Sequence, residues 1–114
     1  MALNHAQSGE LIDIRPLGPA LKNTRSRALV RADQLEVLHL TLPAGHTLPP
    51  HDIAHSAITL QCLEGAAELQ AHGKTQKLLP GTLVYLAPGI QHAVTSEQDC
   101  ALLVTLFLDR AQNA

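Results

Sequence analysis

"PPHDIAHSAITLQCLEG", residues 49–65, sets His51 and His55 ahead of an apolar run that a glycine closes. Within it, residues 57–63 alternate, with Ile58, Leu60 and Cys62 on one side and Thr59, Gln61 and Leu63 on the other. Successive side chains of a strand point to opposite faces, so this run predicts a half-buried β-strand. Gly65, just beyond it, predicts a bend or a bulge.

Working outward, the same kind of segment recurs on both sides. Residues 34–42 partly alternate, Leu38, Leu40 and Leu42 against Val37, His39 and Thr41, until Pro43-Ala44-Gly45 ends the run. Residues 66–71 and 74–79 flank His72-Gly73, a two-residue turn signal, and predict a hairpin. Pro80-Gly81 and Ala87-Pro88-Gly89 bracket a further strand at 82–86, and another follows at 92–95. Residues 101–108 are almost continuously apolar, which predicts a strand buried on both faces, in the core or against a second subunit. Helix signals are scarce, and short strands between regular breaks predict an all-β sandwich or barrel. The expected organisation is an N-terminal arm and first short strand (27–31) over residues 1–33, and one barrel over 34–110.

The bulk numbers agree with one domain. A chain of 114 residues with 46% hydrophobic and 16% charged residues has enough apolar material for a single core. A formal net charge of -2 leaves no basic surplus for phosphates, so a nucleic-acid partner is not expected. Lys22, Arg25, Arg27 and Arg31 read as a solvated edge. The opening MALNHAQSGELID lacks a basic region followed by an apolar stretch, and no apolar run is long enough to cross a bilayer. No membrane partner and a cytoplasmic location are the expectations. Cys62 and Cys100 lie in apolar runs and read as free buried thiols.

Two glycine–histidine frames stand out. Gly45 is followed by five residues and His51, with Gly65 closing the stretch, and "GTLVYLAPGIQH" sets Gly81, Gly89 and His92 in a second frame. On these frames and the hairpin between them, residues 34–108 resemble a small single-domain cupin of the RmlC-like type. The resemblance implies a double-stranded β-helix, a jelly-roll barrel whose interior holds a metal or a small ligand. It also implies two departures: the family's second histidine falls at Ile53, and its glutamate at Ile58. Ala87 stands in place of a proline and Ser96 in place of a frequent asparagine.

The candidate metal ligands are therefore His51, His55 and His92, three imidazoles that would leave open positions on iron, zinc or nickel. Four residues of straight strand span about 13 Å, so His51 and His55 share one metal only if the chain bends between them. Ile53, Ile58, Leu60 and Cys62 are the expected cavity lining. His46, His39 and His72 read as a loop, a strand and a turn histidine, His5 as a solvated one, and Glu64 and Glu68 as solvated strand edges. Because Ile53 and Ile58 replace ligands with hydrocarbon, the favoured reading is a barrel that binds a small organic ligand. The alternative is a mononuclear metal enzyme, an oxygenase or isomerase. A homodimer is expected in either case, the apolar last strand inviting association.

Overall fold

The computed structural model describes residues 5–51 and 56–108, with residues 49–51 described by their backbone alone. Nine strands follow one another: β1 (Arg27–Arg31), β2 (Leu35–Leu42), β3 (Thr47–His51), β4 (Ala57–Glu64), β5 (Ala67–Ala71), β6 (Lys74–Leu78), β7 (Leu83–Leu86), β8 (His92–Ser96) and β9 (Cys100–Phe107). They form two antiparallel sheets, one in the order β1-β2-β9-β4-β7 and one in the order β3-β8-β5-β6. No helix among the described residues is long and apolar enough to cross a membrane.

The alternation that predicts β4 is kept in space. Ile58, Leu60 and Cys62 are buried, while Thr59, Gln61 and Leu63 are half-buried on the outer face. From the second sheet, Leu69 and Val94 meet them, and Cys100, Leu102 and Val104 of β9 complete the centre of the core. Burying a side chain of the Leu or Val class contributes about 1.5–3 kcal/mol, so this set outweighs any single polar contact in the fold.

β9 departs from its expectation. It pairs with β2 along one edge and β4 along the other, in full register with Leu35 through Leu42. Its inward residues fill the core, but Leu103 and Thr105 are only half-buried and Phe107 is 45% exposed. The strand's apolarity follows from its central place, and both of its hydrogen-bonding edges are already taken.

β3 carries Pro49 and Pro50, which hide it from a reading based on strand propensity. Proline cannot donate to a ladder and is confined to edge strands or bulges. Both conditions hold: β3 is an edge strand paired only with β8, and its register slips between Leu48 and His51.

The bulge expected near Gly65 lies immediately before it, where the β4–β9 register shifts between Cys62 and Glu64. Gly65 itself has φ +82, and a Cβ added there would sit 2.2 Å from the Asp99 carbonyl oxygen and 2.6 Å from Cys100 Cβ. At His72-Gly73 both central residues have positive φ, 54 and 72, as a tight turn matched to the twist of a hairpin requires.

The arm is tied down by a residue read above as a solvated edge. Glu64 accepts hydrogen bonds from the backbone N–H groups of Leu17 (2.5 Å) and Gly18 (3.2 Å). That fixes the start of a 3₁₀ turn, Gly18–Asn23, whose Leu21 is buried. Glu64 is correspondingly half-buried rather than solvated. On the outer face of β2, His39 is buried to 6% exposure, and its Nδ1 has no hydrogen-bond partner among the described residues.

Two outcomes follow. Gly65→Ala imposes a left-handed backbone on an L residue and a clash with backbone atoms, and should cost about 3 kcal/mol in urea denaturation. Burial first, and the nearby Arg27 guanidinium second, lower the His39 pKa from 6.5, with Glu64 opposing them. The unfolded chain then binds its proton at higher pH than the folded one. Stability held above pH 6.5 is lost as pH falls toward the depressed folded value. His39→Gln should lose less stability than the wild type between pH 7 and pH 5, as read by chemical denaturation at each pH.

Candidate functional site

β8 begins where the second glycine–histidine frame ends. Pro88-Gly89 makes a turn in which the Ile90 N–H approaches the Ala87 carbonyl at 3.4 Å, and Gly89 takes φ +82. Proline followed by a residue of positive φ is the signature of a type II turn. The turn delivers Ile90, whose carbonyl oxygen lies 3.0 Å from His92 Nδ1. With Nδ1 donating to that carbonyl, the neutral ring carries its lone pair on Nε2, the atom able to accept a proton or bind a metal.

His92 is 5% exposed and shares the inward parity of Val94 and Ser96. In the sheet it stands opposite Ala71 of β5 on one side and position 51 of β3 on the other. The backbone register therefore brings His51 and His92, the histidines of the two frames, side by side on neighbouring strands. The His51 side chain, and His55 and Ile53 altogether, lie outside the described residues.

The expected lining residues Ile58, Leu60 and Cys62 are packed into the core cluster, and none of them borders the recess beside His92. That recess is an open groove of about 390 Å³ where the β5–β6 hairpin meets the start of β8, bordered by Gln70, His72, Lys74, Gln91 and His92 among others. Among the described residues, no Asp or Glu lines it. Burial pushes the Cys62 thiol up, and Cys100 up to about 11, so both stay protonated and serve as small hydrophobes rather than nucleophiles.

Ser96 holds the approach to the first frame. It is 2% exposed; its hydroxyl donates to the Pro43 carbonyl and accepts the His46 N–H at 3.0 Å. Asp99 adds a bond from the Ala44 N–H at 2.8 Å. These contacts pin the turn through Gly45, φ +81, that leads into β3 and so to His51. A buried serine seven residues after Gly89 would be unremarked in a sequence. Its signal is the place it takes in the second frame, where an asparagine is frequent.

Among the described residues, no three His, Cys, Asp or Glu side chains are grouped to hold a metal ion. Of the expected ligands, only the His92 side chain is described, and Ile58 occupies the acidic ligand's place as a buried hydrocarbon. This donor set does not by itself make a metal centre.

No sequence-family model and no curated protein matches the chain. Solved structures do match. KdgF from Halomonas sp. superposes with a TM-score of 0.70 at 17% identity, over 78% of this chain and 83% of that one. A cupin superfamily protein from Desulfitobacterium hafniense DCB-2 gives 0.73 at 18% identity, over 91% of this chain and 100% of that one. Salicylate 1,2-dioxygenase from Pseudoaminobacter salicylatoxidans gives 0.66 at 18% identity, over 72% of this chain but only 25% of that one. At such identities the likeness speaks to fold and not to activity. With two antiparallel sheets in jelly-roll order, and the two glycine–histidine frames meeting at adjacent strands, the chain has the fold of a small cupin domain.

Proposed function

We propose that the protein binds a small organic acid at the His92 end of its four-stranded sheet. The supporting observation is the recess of about 390 Å³ beside His92, a volume within the range of small-molecule sites. Its polar lining offers donors: the Lys74 ammonium, the amides of Gln70 and Gln91, and the hydroxyl of Thr75. Among the described residues the lining carries the Lys74 charge and no carboxylate, which favours a carboxylate ligand over a cation.

The alternative, a mononuclear metal enzyme, draws on one feature: His92 Nδ1 is engaged by the Ile90 carbonyl, which orients Nε2 as metal-ligating histidines are oriented.

The readings separate in two measurements on untagged protein. Thermal denaturation against a panel of small carboxylates and their neutral amides should show stabilisation by carboxylates alone. About 2.7 kcal/mol is expected at a ligand concentration 100 times Kd. Lys74→Ala should weaken that binding about tenfold, the loss of one charge-assisted contact. If no carboxylate stabilises the protein, or Lys74→Ala binds as the wild type does, the acid-binding reading fails. Elemental analysis showing one metal per chain, lost in His92→Ala, would move the assignment to the metal enzyme.

A further inference from the structure

Leu21, Leu29, His39 and Ala101 are buried, yet they stand apart from the core between the two sheets. His39 and Ala101 belong to the outer face of the five-stranded sheet, because the residues flanking each of them, Leu38 and Leu40, Cys100 and Leu102, pack inward. An outward residue that is 6% or 0% exposed has a cover, and here the N-terminal arm supplies it. Ile12 borders a recess with Arg27 and Leu29 at β1, and the Leu17 N–H donates to Glu64 at the end of β4. In the order β1-β2-β9-β4 those two points are three strand spacings apart, about 14 Å. Five steps of extended chain reach about 16 Å, so residues 12–17 cross β2 and β9 nearly straight. Their burial fits the crossing: Ile12, Ile14 and Leu17 are half-buried, while Leu11, Asp13 and Arg15 are exposed.

The crossing buries an ionisable ring. With no partner for Nδ1 among the described residues, a doubly protonated His39 would hold an N–H there with neither water nor an acceptor. The charges around it give the proton little help. Arg27, opposite on β1, adds like charge; Glu64 on β4 adds opposite charge, but its oxygens already accept the Leu17 and Gly18 N–H groups. From β9 come only the uncharged Ala101, Leu103 and Thr105. On β2 itself Glu36 is paired with Arg31. Along the arm, Asp13 and Arg15 are exposed and bonded to each other, and Lys22 and Arg25 are exposed.

We propose that residues 12–18 form a proton-released strap: when His39 gains a proton, the strap lifts from the outer face of the five-stranded sheet while the core between the sheets stays folded. Burial first, and Arg27 second, hold the His39 pKa below 6.5 while the strap is down. Lifting it returns water to the ring, so the lifted form binds the proton at higher pH than the strapped one. The strap therefore holds above pH 6.5 and loosens as pH falls toward the depressed value. It can lift alone because its backbone ties are few, Ala6 to the Leu29 carbonyl and Leu17 and Gly18 to Glu64, whereas the core rests on thirteen buried side chains of both sheets. The assignment stands independently of what the barrel binds.

The test is amide hydrogen exchange on the full chain at pH 7.5 and pH 5.5, corrected for intrinsic rates, with and without sub-denaturing urea. The Leu17 and Gly18 amides should lose about tenfold in protection between the two, the limit for one group of ordinary pKa 6.5. That opening should hardly respond to urea, because it exposes little surface, whereas the Leu102 and Val104 amides of β9 should exchange far more slowly and respond steeply. His39→Gln should abolish the tenfold ratio. Glu64→Gln should loosen the strap at both pH values and keep the ratio. Should His39→Gln not fold, the onset of the loss in the wild type decides, near pH 6.5 for the imidazole and about pH 4.3 for a carboxylate. Equal protection at both pH values would overturn the proposal, as would a ratio that survives in His39→Gln or vanishes in Glu64→Gln. Arm amides with the urea dependence of β9 would overturn it too, by making the opening a global unfolding.

Discussion

The fold turns on the close approach of Gly65 to the backbone and Cβ of Cys100. At this corner the chain leaves β4 in the five-stranded sheet and enters β5 in the four-stranded one. The bulge at Cys62–Glu64 absorbs the extra residue, and Gly65 takes the left-handed conformation that reverses the path. Cys100 opens β9, so the same contact sets the phase of β9 against β4. Shifted by one residue, Cys100, Leu102 and Val104 would all leave the core. Both thiols at this corner stay protonated and apolar, which suits packing that a charge would open.

Alternation made most of the barrel legible. It placed Ile58, Leu60 and Cys62 inward, and the turn residues placed the β5–β6 hairpin and the breaks before β7 and β8. What escaped the sequence depended on contacts between distant residues. β3 is written in prolines and is a strand only because β8 offers it an edge. Glu64 reads as a solvated acid until its partners, the N–H groups of Leu17 and Gly18, arrive from the arm. The burial of His39 likewise depends on neighbours that alternation along β2 does not reveal.

The site was legible in part. The two glycine–histidine frames mark where β3 and β8 come alongside each other, and the register of His51 with His92 follows from them. A cavity rimmed by His92 is expected from the sequence, but the recess there is not lined by Ile58, Leu60 or Cys62. Its polar border comes from the hairpin turn, which lies outside both frames, and from Gln91, a position inside the second frame that the frame does not specify. His72 shows the cost of that turn: a side chain held at φ +54, a region histidine enters more readily than most residues but still seldom.

The order of strands along the chain also governs how the barrel can assemble. β9 separates β2 from β4, yet it is synthesised after all eight other strands. Until it emerges, β2 lacks its neighbour on that side and β4 lacks one of its two. No hairpin of the five-stranded sheet can bury its inner face locally. Pairings between residues as distant as Leu35 and Phe107 must close large loops before they are rewarded, which makes folding slow and concerted. A nascent chain would therefore hold two apolar strands with open edges until its last strand arrives, and that interval is when it most needs protection from other chains.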